Sequence, residues 1–229
     1  MPVEPPPRPR RRKLSRELVL AAALRLADEE GIEAVSMRRL GQVLRVEAMS
    51  LYRHVAGKEA ILDGISELVM GEVEVPARNL PWRQALRQSA ISTHQALLRH
   101  PWASAVLESR RNPGEARMTY LDAVVSILLD AGLSTPDVAR AFMAVDSHVY
   151  GFTLMVLAWP FDLRDSPDEA RIMIDEVFGQ AYPGLRSMAE LALTGPGVPV
   201  EFEFGLDLTL DGIERRLAGA PRASPLRSP

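Results

Sequence analysis

Apolar residues recur at intervals of three and four positions along most of the chain, the spacing of helices that bury one face. No stretch alternates apolar and polar residues as a half-buried strand would, and no internal repeat stands out. The pattern therefore predicts an all-α protein. Capping residues, glycines and prolines bound the predicted helices at about 15–30, 36–44, 47–55, 58–75, 82–99, 102–109, 115–131, 134–159, 168–181, 184–193 and 202–217. Ser15 is the predicted N-cap of the first of them.

Residues 36–58 fit two short amphipathic helices with a tight turn between them. Ser36 is the predicted N-cap of the first helix, because its hydroxyl can accept an unpaired amide of the first turn. The inward face of this helix carries Leu40, Val43 and Leu44. Gly41 is small enough for a second helix to come close, and the turn falls near Arg45 and Val46.

The second helix, over 47–55, places Leu51 and Val55 inward at a spacing of four. Its outer face carries Ala48, Met49, Ser50, Tyr52 and Arg53. A short helix with such a face suits insertion into the major groove of DNA. An ordinary helical hairpin with a solvated charged face has the same spacing, so the pattern alone leaves both interpretations open.

The charge distribution separates an N-terminal module from the rest of the chain. The 229 residues have a formal net charge of −3, which does not suggest DNA binding. Residues 1–61, however, contain 12 Lys and Arg against 8 Asp and Glu, whereas the remainder contains 15 against 22. This asymmetry is expected when only the first part meets phosphate.

Composition and motifs narrow the functional class. The chain has no cysteine and none of the usual hydrolase, zinc-protease or nucleotide-binding motifs, so we expect neither an enzyme nor a metal or cofactor site. The longest apolar stretch, at 149–161, is too short for a membrane span, and the N-terminus has no signal-peptide pattern. These features predict a cytoplasmic protein without membrane contact.

Residues 14–70 resemble the DNA-binding domain of TetR-type repressors. The motifs that carry the resemblance lie at 24–31, 36–40 and 50–62, and the Leu-Tyr-x-His-Val-x-x-Lys pattern within the last is the most specific. The family usually has glycine where this chain has Arg45, so a positive φ there would strain the turn. The resemblance implies an N-terminal three-helix helix-turn-helix domain joined to a larger helical ligand-binding and dimerisation domain.

The resemblance implies specific roles in DNA binding. Arg38 matches a position that contacts bases or phosphate, and Ala48, Met49 and Ser50 match the groove-facing start of the recognition helix. The phosphate-binding positions match Tyr52, His54 and Lys58, and Arg53 is an additional candidate. Each residue also has a structural interpretation, as a packed aromatic for Tyr52, a structural histidine for His54, or an exposed side chain without a partner for Met49.

The body resembles the tetracycline-repressor branch through its helix order and Trp82. Glu74 and Leu107 stand where that branch has drug- and metal-binding histidines, so the expected effector is apolar or aromatic and not a magnesium–drug complex. Polar, aromatic and methionine candidates for the cavity are His94, Arg110, Met118, His148, Tyr150, Phe152, Met155 and Met173. Helical stripes of methionine and aromatic residues are more often hydrophobic core than cavity lining, and the core is the favoured interpretation for most of these residues.

The resemblance completes the predicted organisation. It places a helix-turn-helix domain at 14–60 and a body at 61–218, and composition adds a disordered, Pro-rich basic arm at 1–13 and a disordered, Pro/Ser-rich tail at 219–229. The long helix after Ser134 and the last helix after Phe202 imply a homodimer interface. The predicted function is a repressor of operator DNA released by a small molecule. The alternative is a dimeric ligand-binding or protein-interaction module with a degenerate DNA-binding head.

Overall fold

The computed structural model describes residues 13–110, 113–158, 166–179, 181–194 and 198–219. Within these ranges the chain forms α-helices and one 3-10 turn, Ile32–Ala34, and no strand, so the predicted all-α fold is confirmed. The helices are α1 Arg16–Glu30, α2 Met37–Leu44, α3 Ala48–Leu51, α4 Lys58–Gly71, α5 Trp82–Arg99, α6 Ala103–Ser109, α7 Glu115–Asp130, α8 Thr135–Ala158, α9 Pro167–Phe178, α10 Pro183–Thr194 and α11 Val198–Gly219.

Parts of the predicted organisation lie outside the described residues. They are residues 1–12 of the predicted arm, residues 220–229 of the predicted tail, and Trp159 at the predicted end of the long helix. The division of the chain into these four segments stays a prediction.

Local sequence signals set the ends of the first helices. The Ser15 hydroxyl accepts a hydrogen bond from the Leu18 amide at 3.3 Å, and the Ser36 hydroxyl accepts one from the Arg39 amide at 3.2 Å. Gly31 ends α1 with a φ of 86°, a conformation that favours glycine. Both predicted N-caps are therefore confirmed.

The N-terminal helices share a core with α4. Helices α1 and α4 pack together through fully buried residues, among them Val19, Ile61 and Ile65. Gly64 makes this close contact possible, because a Cβ atom there would lie 2.5 Å from the Leu20 side chain. Helix α4 continues past this core to α6 and α7, so it connects the N-terminal helices with the body.

The body is built around α8, which packs against α5, α7 and α11. One face of α11 is buried through Phe202, Leu206, Leu210 and Ile213. These residues lie three or four positions apart on one face, whereas Phe204 and Leu208 of the same helix are exposed. Helices α9 and α10 pack mainly against each other.

Several sequence predictions were wrong in detail. The recognition helix ends at Leu51 instead of residue 55, because the chain turns after it and the His54 amide bonds to the Leu51 carbonyl at 2.8 Å. Val43, predicted to face inward, is 40% exposed, since α2 buries a narrower stripe of its surface than expected. Helix α11 begins at Val198 instead of about residue 202, since Pro199 fits a first helical turn.

Helix α8 is also long and apolar enough to cross a membrane, by length and composition alone. The apolar stretch visible in the sequence, at 149–161, is shorter than this helix because polar residues interrupt its first half. Helix α8 packs against α5, α7 and α11, and 22% of its most apolar 18-residue window is buried. A single helix of this kind is weak evidence for a membrane span.

Candidate nucleic-acid interface

The turn between α2 and α3 brings the two helices into direct contact. The Val46 amide donates to the Gly41 carbonyl at 2.9 Å and closes the turn. A Cβ atom at position 41 would lie 2.9 Å from the Val46 carbonyl oxygen, so only glycine fits. Arg45, between them, adopts φ 55° and ψ 47°. The turn therefore does require a positive φ at this position, the conformation expected from the sequence to strain a non-glycine residue.

The start of α3 is held in place by its inward side chains. Leu51 is fully buried and Val55 is 4% exposed, as predicted. Both pack in the core shared with α1 and α4. The short recognition helix is therefore fixed by packing and not by its own length, because a helix of four residues is not stable alone.

The predicted DNA-binding residues lie around this fixed element. Met49 is 75% exposed and Tyr52 is 50% exposed, which is unusual for an apolar and an aromatic side chain. The basic residues Arg38, Arg53 and Lys58 are also exposed. The remaining predicted DNA-binding residues are partly buried: Ala48, Ser50 and His54. The exposure of Tyr52 does not fit its interpretation as a packed aromatic, whereas the exposure of Met49 fits both of its interpretations.

Unpaired positive charge distinguishes this surface. Among the described residues, neither Arg38, Arg53, Lys58 nor the turn residue Arg45 has an ion-pair partner. The adjacent Arg39 differs, because its guanidinium binds the Glu30 carboxylate at 2.5 Å. The surface can therefore offer several free cations to a polyanion without first breaking internal ion pairs.

A buried histidine connects the N-terminal helices to the body. His100, 6% exposed, has Nδ1 at 2.8 Å from the Asp28 carboxylate on α1 and Nε2 at 3.2 Å from Glu72 at the end of α4. The Trp102 indole also donates to Asp28, at 2.7 Å, and Arg99 binds Glu72 at 2.8 Å. The two ring nitrogens of His100 therefore link a carboxylate on α1 to one at the end of α4.

Helix α4 has further attachments to the body. The Arg110 guanidinium, at the end of α6, binds Glu59 at 2.8 Å and Asp63 at 3.2 Å. Glu67 accepts a hydrogen bond from the Ala116 amide in the first turn of α7 at 2.6 Å. A movement of α6 or α7 would therefore act on α4 and, through His100, on α1.

The structure brings three of the predicted ligand residues together, in the interior between α5, α8 and α11. The His94 ring stacks on Phe202 with centroids 4.0 Å apart, and the edge of Phe152 meets Phe202 at 5.5 Å. His148 Nε2 donates to the Phe202 carbonyl at 2.9 Å. Gly205 admits His148, because a Cβ atom there would lie 2.5 Å from its ring.

The hydrogen bonds of this cluster define the state of His94. The Thr153 hydroxyl donates to the Val149 carbonyl at 2.5 Å, so it accepts from His94 Nδ1 at 2.7 Å. Burial, with a smaller effect from His148, lowers the pKa of His94 to about 4. His94 is therefore a neutral, stacked ring with its proton on Nδ1.

The other five predicted ligand residues lie elsewhere. Arg110 binds α4 as described, and burial raises the pKa of the partly buried Tyr150 phenol. Met118 and Met155 are 54% and 59% exposed, and Met173, on α9, is 40% exposed. None of the eight residues lines the cavity of about 540 Å³ between α9 and α10 or that of about 620 Å³ between α1 and α4.

Two important parts of these sites were not predicted from the sequence. Phe202 was read as the start of a dimerisation helix, and Asp28 with His100 was not singled out at all. An aromatic at the first buried position of α11 is a weak signal, and a His-Pro pair at a helix end signals only the end of the helix. In the described part of the chain, no three His, Asp or Glu residues are placed to hold a metal ion.

Comparison with known families matches both parts of the chain. Residues 19–65 match the family described as bacterial regulatory proteins of the tetR family. Residues 75–217 match the tetracyclin repressor-like C-terminal domain, which covers more than half of the chain. The two matches cover both the helix-turn-helix region and the body.

Individual proteins are similar over nearly the whole chain. The HTH-type transcriptional repressor DrrR1 of Streptomyces coeruleorubidus is 33% identical over 88% of this chain and 77% of its own. The tetracycline repressor protein class C of Escherichia coli is 30% identical over 89% and 92%. The crystal structure of ActR from Streptomyces coelicolor with (S)-DNPA matches with a TM-score of 0.70 and 26% identity over 90% of this chain and 98% of that one.

Proposed function

Because the chain belongs to the TetR family of bacterial transcriptional regulators, we propose that its α2–α3 surface binds operator DNA in the major groove. The protein is a ligand-responsive DNA-binding regulator of repressor type and not an enzyme. The observation that carries the proposal is the group of exposed, unpaired cations around α3, which its buried side chains hold in place.

The residues of this surface have different roles in the proposal. Arg38 binds a guanine edge through its two-pronged guanidinium, and the residues at the start of α3, Ala48, Met49 and Ser50, contact the groove floor. Phosphates are bound by Tyr52, Arg53, His54 and Lys58. Phosphate contacts fix the register, and the base contacts select the sequence.

The test is binding of the full chain to a duplex from its own promoter and to a random-sequence duplex of equal length, each at two salt concentrations. We expect preferential binding to the promoter, with an affinity that falls steeply as salt increases. A chain that binds neither duplex at low salt would instead support the degenerate-head alternative, in which only the body is functional.

The DNA-binding form in this proposal is a homodimer built through α8 and α11. These adjacent helices expose large apolar side chains: Met143, Leu154, Met155, Phe204 and Leu208. Apolar patches of this kind mark interfaces, and a dimer presents two heads to two operator half-sites. Sedimentation should show a dimer for the native chain and a monomer for Phe204→Glu; a dimer in both would contradict the proposed interface.

The effector in this proposal is an apolar or aromatic molecule bound beside His94, His148 and Phe152, with the remaining predicted ligand residues left as predictions. A neutral stacked imidazole and an aromatic ring support this choice. The bound ligand would favour a tilt of α4 that misplaces the two heads. The bacterial cytoplasm, where operator DNA lies, is the proposed location.

The effector proposal is tested by screening planar aromatic compounds for release of the promoter duplex from the full chain. His94→Ala should still bind DNA but should need at least tenfold more of any active compound. An unchanged response would remove His94 from the site.

A further inference from the structure

The turn residue Arg45 has an unusual backbone conformation. Its φ of 55° and ψ of 47° are left-handed, and it is the one described non-glycine residue with a positive φ. Such a conformation favours glycine, because a Cβ atom crowds the following carbonyl oxygen. A residue held there in spite of this strain points to a role for its side chain.

The fold uses only the backbone of Arg45. Its amide donates to the Gln42 carbonyl at 3.2 Å and ends α2, a bond that any residue other than proline could make. The side chain is exposed and has no hydrogen bond or ion pair with any described residue. Glycine or asparagine would therefore form the same turn with less strain.

The position of Arg45 relates it to the DNA-binding surface. It lies three residues before Ala48, the first residue of α3. In a helix-turn-helix the first helix crosses the DNA backbone and the second enters the groove, so the turn between them lies at the groove edge, where the phosphates are. Arg38, before the turn in the sequence, and Lys58, after it, are likewise exposed and have no ion-pair partner among the described residues.

We propose that Arg45 binds a backbone phosphate at the edge of the groove that α3 enters, and that this contact is the reason for a non-glycine residue in the turn. The inference rests on the proposed function, because it requires the α2–α3 surface to bind DNA. It adds a phosphate contact at a position where the resemblance to the family suggests glycine and no contact.

The test compares the full-length native chain with Arg45→Asn, Arg45→Lys and Arg45→Gly on the promoter duplex and the random duplex, over a series of salt concentrations. Asparagine tolerates the left-handed conformation without charge, and lysine keeps the charge. Thermal melting of each variant measures stability separately. We expect Arg45→Gly to melt no lower than the native chain, since glycine removes the strain.

The expected result is that Arg45→Asn and Arg45→Gly bind both duplexes roughly tenfold more weakly, with the slope of log affinity against log salt reduced by about 0.9 for each head. Arg45→Lys should stay within about threefold of the native affinity and keep the slope. The loss of affinity would then occur without any loss of stability.

Two results would overturn the inference. An unchanged salt slope in Arg45→Asn, with native binding still steeply salt-dependent, would show that Arg45 does not contact phosphate. A loss of affinity confined to the promoter duplex would make Arg45 a base-reading residue. Failure of the native chain to bind either duplex would instead reject the proposed function, so the two failures can be told apart.

Discussion

Arginines behave differently in two regions of the molecule. On the α2–α3 surface, Arg38, Arg45 and Arg53 are exposed and have no carboxylate partner among the described residues. At the contact between α5 and α11, Arg83 and Arg87 bind four carboxylates, those of Glu203, Asp207, Asp211 and Glu214. The same side chain is thus free in one region and internally paired in the other.

The difference indicates two roles for arginine in this molecule, holding helices together and binding a polyanion. A paired arginine must lose its carboxylate before it can bind a phosphate, so it is better suited to hold helices together. An unpaired arginine on a fixed turn contributes little to folding but is available to a polyanion. Substitutions at the α2–α3 surface should therefore change DNA binding, and substitutions at the α5–α11 contact should change stability.

The largest expected effect is on DNA affinity when Arg38 is removed. Arg38→Ala should weaken binding to the promoter duplex by about 1–3 kcal/mol at each head, because a two-pronged guanine contact is lost. Stability should change by no more than about 0.5 kcal/mol, since the native side chain is exposed and unpaired. Fluorescence anisotropy and urea unfolding measure the two quantities.

Arg39→Ala is the matched control for this prediction. Arg39 is the next residue on α2 but binds Glu30 in a solvent-screened pair, so its loss should lower stability only slightly and leave the sequence preference intact. If Arg38→Ala kept the native sequence preference, or if Arg39→Ala lost it, free and paired arginines would not differ in the proposed way.

The second prediction concerns a charge in the body without an effective partner. Burial, together with the nearby charge of Glu108 and against a smaller opposing effect of Arg117, raises the pKa of Asp146 to about 6. Arg117 is bound to Glu108 at 2.6 Å, so it compensates Asp146 poorly. A raised pKa in the fold means that this group stabilises the protein below about pH 4 and that its contribution is lost as the pH rises through 6.

Asp146→Asn should remove that loss. At pH 8 the variant should be more stable to urea than the native chain by about 1–2 kcal/mol, allowing for solvent screening of a partly exposed carboxylate. Asp122→Asn, at an exposed position of α7, is the control and should change little. Equal stability of the native chain and Asp146→Asn at pH 8 would mean that the ionised Asp146 carboxylate does not destabilise the fold.

His94 should affect the same pH profile in the opposite direction. Its pKa is lowered to about 4, so the folded state favours the neutral ring, and stability is lost as the pH falls from about 6.5 towards 4. His94→Asn keeps a donor towards Thr153 but does not titrate. Urea unfolding should therefore show this variant gaining stability relative to the native chain as the pH falls from about 6.5 towards 4.

Local patterns predicted much of the fold. The N-caps at Ser15 and Ser36 and the predicted helix at 82–99 are confirmed, because they depend on residues that are neighbours in sequence. The end of α3 was wrong because packing of Leu51 and Val55, and not helical periodicity, decides where the chain turns. The prediction that Val43 faces inward was wrong because α2 buries only a narrow stripe of its surface.

The sites depend more on contacts between distant positions. The predicted DNA-binding residues, from Arg38 to Lys58, lie within 21 positions, so their grouping could be predicted, although their DNA contacts stay predictions. The His94–Phe202 stack and the Asp28–His100–Glu72 link join residues far apart in sequence. No helical period in one segment specifies which partner it meets in another.

The smallest expected effect tests the paired side of the comparison. Arg87 binds Glu203 at 2.7 Å and Asp207 at 3.0 Å, and all three side chains are about one-third exposed or more. Solvent weakens such pairs, so Arg87→Ala should lower the free energy of unfolding by only about 1 kcal/mol and leave the salt slope of DNA binding unchanged. Arg215→Ala, on α11 without a carboxylate partner among the described residues, should change neither quantity. Adding Asp207→Ala to Arg87→Ala should then be less damaging than the sum of the single changes, because the partner is already lost. Strictly additive effects, or a changed salt slope, would show that the α5–α11 arginines are not reserved for internal pairing.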